Sequence, residues 1–141
     1  MDRKDFLNAI GMGAASIAVF NCIGCSKSSA GDPSSTPAPS NVDFNLDLSS
    51  STNTALNTNG GYIYSNGIIV ARTTSGSYLA VSQICRHEDN KVIYLANQNQ
   101  FYCQRHGATY SSTGVSAGIE TNLPLTNYKT QLTGTTLRIY S

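Results

Sequence analysis

From residue 44 onward, apolar and polar positions alternate in short runs interrupted by glycine and asparagine. Residues 44–48 (FNLDL) carry the two-residue period of a half-buried strand. Gly60-Gly61 marks a turn, residues 62–64 (YIY) a strand, and Asn66-Gly67 a two-residue hairpin turn. Residues 68–72 (IIVAR) are a β-branched run, Ser75-Gly76 turns the chain again, and residues 78–81 (YLAV) continue the meander. Residues 92–95 (VIYL) and Phe101-Tyr102 flank the polar turn 97–100, and residues 125–132 and 135–140, split by Gly134, predict a closing hairpin. No segment reads as a convincing amphipathic helix and no internal repeat is visible. The pattern predicts an all-β domain over residues 44–141.

The chain before residue 44 follows another pattern. Residues 9–20 (AIGMGAASIAVF) form an apolar, small-residue run behind Arg3 and Lys4, too short to span a bilayer. The run leads into CIGC, ending at Cys25. A small residue before a cysteine in this setting resembles a bacterial lipoprotein cleavage site. That implies a signal peptide over residues 1–25, cleavage before Cys25 and a lipid on Cys25, although Cys22 stands where such sites usually keep an aliphatic residue. Residues 3–7 (RKDFL) also resemble a twin-arginine export signal with Lys4 for the second arginine, a route that carries folded proteins with cofactors already inserted. Residues 26–43 hold three of the chain's four prolines and few large apolar residues, so they read as a flexible Ser/Pro-rich tether. The expected location is the periplasmic side of a bacterial membrane, lipid-anchored.

Composition narrows the function classes. The formal net charge of +1 gives no basic surface for nucleic acid. Only 12% of the residues are charged, and the 141-residue chain has just two histidines. Both lie beside cysteines: Cys85-Arg86-His87 is followed, after fifteen residues, by Cys103-Gln104-Arg105-His106. Each cluster follows a strand and precedes a turn, with a hairpin between them, so two loops at one end of a sheet can converge on one ion or cluster.

Three chemistries suit that arrangement. A Cys85–Cys103 disulfide would stabilise a small exported domain by about 3 kcal/mol, but it leaves both histidines unexplained. Zinc accepts two thiolates and two imidazoles, yet zinc fingers pair like with like and place a helix after one pair. A [2Fe–2S] centre with two cysteines on one iron and two histidines on the other needs one of each from both loops.

Cys-x-His, fifteen residues, then Cys-x-x-His-Gly resembles the signature of the Rieske iron–sulfur family at every ligand position, including Gly107. The resemblance is strongest over residues 85–110. It implies an antiparallel β-sandwich with a small cluster-binding subdomain of two loops, one [2Fe–2S] cluster, Cys85 and Cys103 on a buried iron, and His87 and His106 on an outer iron near solvent. Departures from the family's high-potential members are informative. Those of cytochrome bc complexes carry a further disulfide between the loops, at positions that are Asn90 and Arg105 here. A serine that donates to a bridging sulfide is Ala108 here, whereas Tyr110 keeps a hydroxyl able to donate to a cysteine sulfur. Loss of the serine donor lowers the potential and the tyrosine partly sustains it. Arg86 and Arg105 favour the reduced form, and Glu88 and Asp89 oppose them. Gly107, Ala108, Tyr110, Arg86 and Arg105 are the residues expected around the ligands, with Ile84, Val92 and Tyr102 packing behind them. A proline-containing loop covers the cluster in many members; Gly118-Ile119 stands in its place here.

The resemblance implies one-electron transfer by an exported, membrane-tethered carrier with no substrate site of its own. The donor and acceptor are not named by the sequence; a quinol-linked membrane complex, a cytochrome or a molybdenum enzyme would serve. The alternative is a small subunit of a quinol–cytochrome c reductase-like or arsenite-oxidase-like oxidoreductase. A ring-hydroxylating oxygenase would need a second iron domain for which the chain has neither room nor spare histidines. A structural zinc or disulfide lipoprotein is the non-redox alternative.

Overall fold

The computed structural model describes residues 36–141. Among the described residues nine strands appear, all paired antiparallel: β1 (Asp43–Asp47), β2 (Tyr62–Ser65), β3 (Ile68–Arg72), β4 (Tyr78–Ser82), β5 (Ile93–Leu95), β6 (Gln100–Tyr102), β7 (Thr109–Ser111), β8 (Asn127–Thr133) and β9 (Thr136–Tyr140). They form a six-stranded sheet of order β1-β9-β8-β4-β3-β2 and a three-stranded sheet of order β5-β6-β7. A 3₁₀ turn (Ser51–Asn57) buries Leu56 under the larger sheet. The fold is therefore the antiparallel β architecture expected, with β7 added where the sequence pattern was too short to predict it. Among the described residues no helix is long and apolar enough to cross a membrane.

The apolar run of β3 is explained by burial on both faces. Alternate side chains of a strand point to opposite sides. Ile68 and Val70 join Leu46, Leu56, Ala80, Tyr128, Leu137 and Ile139 in the base core. Ile69 and Ala71 point the other way, to a second core shared with Val81, Phe101, Tyr110 and both cysteines. So β3 and β4 lie between two cores, and the second supports the metal-site candidates. Asn66 and Gly67 both have positive φ (52° and 79°), as a tight turn pairing Ser65 with Ile68 requires.

The segment expected as tether splits. Residues 26–35, with Cys25 and the expected signal peptide, lie outside the described residues. Residues 36–42 run along the domain. The Tyr128 hydroxyl donates to the Pro39 carbonyl at 2.6 Å, the Thr36 amide donates to Asp89 at 3.3 Å, and the Val42 amide donates to Ser141 at 2.8 Å. The Pro39 ring sits so close to Gly67 that a Cβ there would lie 2.8 Å from it. Proline loses little further freedom on docking, which favours this contact over the free chain that composition alone suggested.

Candidate metal centre

Two loops leave the ends of the short strands and close in the same way. The Cys85 amide donates to the Asn90 carbonyl at 2.7 Å, and the Cys103 amide donates to the Ala108 carbonyl at 2.8 Å. Each cysteine thus begins a turn of equal length. The first loop is closed behind by an Ile84–Lys91 bridge and by the Val92 amide donating to Gln83 at 2.8 Å. The second is closed by the Gly107 amide donating to the Cys103 carbonyl at 2.9 Å. Gly107 has φ +85°, a left-handed conformation that a side chain would strain, and this is why glycine follows the histidine.

These loops bring the predicted ligands together in two pairs, cysteine with cysteine and histidine with histidine. Cys85 and Cys103 are buried and free, with their sulfurs in hydrogen-bonding reach of each other. The rings of His87 and His106 lie edge to face with centroids 4.9 Å apart. His87 Nδ1 is buried and has no hydrogen-bond partner. A buried ring nitrogen without a partner is costly unless something outside the polypeptide occupies its lone pair.

The surroundings favour thiolate at the first sulfur. Burial pushes the Cys85 thiol up, but the Tyr110 hydroxyl and the amides of Glu88 and His87 outweigh it, and its pKa is lowered. Tyr110 Oη lies 3.3 Å from Cys85 Sγ and accepts from the Arg86 amide at 3.0 Å. Burial, with the Cys85 contact, raises the tyrosine's own pKa, so it stays a neutral donor. Burial also pushes the Cys103 thiol up, against the Arg105 amide and the Asn90 side chain, whose Nδ2 is 3.9 Å from the sulfur.

Asn90 and Arg105, which stand at the positions of the missing disulfide, make noncovalent links across the loops. Asn90 reaches Cys103, and Arg105 Nε pairs with Glu88 at 2.7 Å. Ala108 is fully buried and packs in the core with both cysteines. Val92 is buried in the same core, whereas Ile84 and Tyr102 are partly exposed. Glu120 was missed altogether: its carboxylate lies 3.6 Å from His87 Nε2. No local motif connects residues 33 positions apart in sequence. The available signal was scarcity, since Glu88 and Glu120 are the chain's only glutamates.

The donor set can be tested against the chemistries it might serve. His87, Glu88 and His106 alone could grip one mononuclear ion. That reading leaves two buried thiols, both with hydrogen-bond donors aimed at them, without a role. A centre using two sulfurs and two imidazoles employs all four residues and fills the orphaned His87 nitrogen, so the residues fit a [2Fe–2S] cluster.

Comparison with known proteins points the same way. Residues 45–129, more than half the chain, match the family model described as Rieske [2Fe–2S] domain. Over 71 residues the chain is 32% identical to the cytochrome b6-f complex iron-sulfur subunit of Chlorobaculum thiosulfatiphilum, covering 50% of this chain and 39% of that protein. The chain thus spans well under half of that relative's length. Among solved structures, the ferredoxin of carbazole 1,9a-dioxygenase from Nocardioides aromaticivorans superposes with a TM-score of 0.51 at 21% identity, covering 59% of this chain and 86% of the ferredoxin. A Sphingomonas yanoikuyae ferredoxin gives 0.51 at 15% identity, covering 60% and 88%. At these identities the two structures speak to the fold alone.

Proposed function

The chain belongs to the Rieske [2Fe–2S] family, and we propose that it is an exported, lipid-anchored one-electron carrier whose cluster is held by Cys85, His87, Cys103 and His106. The observation that carries this reading is the convergence of two free buried thiols and two facing imidazoles, one with an orphaned Nδ1. Bound there, a [2Fe–2S] cluster supplies one-electron redox chemistry at a potential raised by its two neutral imidazoles. Cys85 and Cys103, both buried, would hold the cluster from the side away from water. His87 and His106, whose side chains are 25% and 40% exposed, would hold the cluster from the solvent side and present an edge for a partner. Tyr110 and the loop amides donate toward sulfur and stabilise the reduced state, while Ala108 offers no such donor. The resulting potential lies below that of quinol-oxidising members with the serine and the disulfide.

Export and anchoring rest on residues 1–25 as read in the sequence. Cysteine lipidation would hold the domain at the periplasmic face, within reach of a membrane donor and a periplasmic acceptor such as a cytochrome or a molybdenum enzyme. A second reading, a permanent subunit of a quinol–cytochrome reductase-like complex, is favoured by the likeness to the b6-f subunit. Asn90 and Ala108 weigh against a conventional one.

The deciding experiment is EPR of the full chain, purified anaerobically and reduced. The expected result is a rhombic signal of low average g, abolished in His87→Ala and His106→Ala. Stoichiometric zinc without an EPR signal, with iron reconstitution also failing, would overturn the electron-transfer reading. Membrane fractionation of the same cells, with Cys25→Ser releasing the protein, checks the anchor; co-purification of a fixed partner selects the subunit reading.

A further inference from the structure

Each of the chain's two histidines has one of its two glutamates beside it, and the two pairs are built differently. Glu88 lies 3.5 Å from His106 Nδ1 and is neutralised by Arg105. Glu120 lies 3.6 Å from His87 Nε2, and among the described residues it has no lysine or arginine ion pair.

Glu120 does not arrive there by chance of a floppy side chain. It has φ +64°, in the left-handed region that residues other than glycine and asparagine avoid. Such an outlier persists only where its surroundings over-determine it, and it is a pointer to function. The loop that holds it is stitched to β7, directly after the second cysteine loop. The Ala117 amide donates to the Thr109 carbonyl at 2.9 Å, and Ser116 bridges to Tyr110. The Ser116 hydroxyl donates to the Thr121 carbonyl and accepts from the Gly118 amide at 3.0 Å, fixing the loop on both sides of Glu120.

Resting on the ligand assignment above, we propose that Glu120 is a positioning residue for His87. A carboxylate at Nε2 selects the tautomer that carries its proton on that nitrogen and turns the Nδ1 lone pair inward. Nδ1 is the buried atom that has no protein partner. The loop that has Gly118-Ile119 in place of Gly-Pro thus supplies an internal anion to one imidazole. Because no lysine or arginine among the described residues pairs with it, Glu120 also disfavours the reduced, more negative cluster.

The test is Glu120→Gln in the full, cluster-loaded chain, read by redox titration and EPR, with Glu120→Asp as the conservative variant. Glutamine keeps the backbone conformation and size but removes the charge. The expected result is a cluster that loads, a reduced-to-oxidised ratio shifted about threefold to tenfold toward reduced (tenfold being 59 mV for one electron), and altered g anisotropy, with Glu120→Asp moving back toward wild type. Impaired loading with unchanged circular dichroism, restored by Glu120→Asp, also supports the proposal. A Glu120→Gln protein with wild-type potential and g values overturns it, even if its melting temperature falls, because a merely structural role changes only stability. If the wild-type chain binds no [2Fe–2S] cluster, this proposal falls together with the ligand assignment; a loaded wild type with an unmoved variant sinks this proposal alone.

Discussion

β9 and β6 each lie between two antiparallel neighbours, yet they do different work. In β9, Leu137 and Ile139 face the base core while Thr136 and Arg138 face solvent. Polarity at alternate positions is all that strand needs, and side chains of similar volume would serve. In β6, Phe101 enters the second core, but the strand is only three residues long and ends at Tyr102, just before Cys103. Beyond it the buried atoms include two sulfurs, a tyrosine hydroxyl and an unpartnered ring nitrogen. There the identity of each residue matters. The base is held by volume and alternation; the metal centre is held by donors and acceptors that the base merely supports.

The sharpest way to break this distinction is a pair of substitutions read by two measurements. Leu137→Ala removes a fully buried side chain from the base core and should cost about 2–5 kcal/mol in urea unfolding. Leu137→Ile, which conserves volume, should cost less than about 1.5 kcal/mol. Neither should move the midpoint potential or the EPR signal. A shift in potential on Leu137→Ala would mean that the base sets the centre's electronics as well as its support.

Tyr110→Phe should do the reverse. It leaves packing volume nearly intact but strips the hydroxyl from Cys85 Sγ and from the Arg86 amide. Losing this hydrogen bond from a part-buried amide should cost about 1 kcal/mol. Loss of a donor to sulfur should lower the midpoint potential as well. Stability loss with an unmoved potential would assign the hydroxyl to holding the first loop shut rather than to the cluster's electronics.

The same division explains what could be read from the sequence. Alternation placed most of the base strands, because burial on one face prints a two-residue period. The two-sided burial of β3 printed a continuous apolar run instead, and Asn66-Gly67 fixed its hairpin. The candidate ligand set was legible because Cys85, His87, Cys103 and His106 are close in sequence and of rare types. β7 was not: three residues, Thr109 to Ser111, are too few to show a period. Nor were the Glu120–His87 and Asn90–Cys103 contacts, which depend on how loops converge in space. The docking of residues 36–39 was hidden too, since a proline segment has the composition of a linker whether or not a surface receives it.

The smallest effect lies farthest from the centre, on the edge of the base, where β1 meets β9. Arg138 Nε and Nη2 donate to the two Asp43 carboxylate oxygens at 2.8 Å and 2.6 Å, joining diagonal cross-strand neighbours, since Asp43 lies opposite Tyr140 and Arg138 opposite Asn45. That bidentate hydrogen bonding, opposed slightly by desolvation and aided by the guanidinium charge, holds the Asp43 carboxyl below its ordinary value of 3.8. On the same strand, hydrogen bonds from the Ser49 hydroxyl and amide lower Asp47 as well. A carboxyl whose pKa is lower in the folded state stabilises the fold above its unfolded value and loses that contribution as pH falls through the folded one. Urea midpoints should therefore be flat from pH 7 to about pH 5 as far as these groups are concerned, and should fall below about pH 4. Arg138→Gln should lower the midpoint slightly at pH 7, by less at high salt because the pair is exposed. Below pH 3 the variant and wild type should converge, with the potential the same in both at neutral pH. A variant that stays equally destabilised in acid and in salt would show that Arg138 acts through its stacking on Tyr140, whose ring centre is 4.6 Å from the guanidinium carbon, and not through charge.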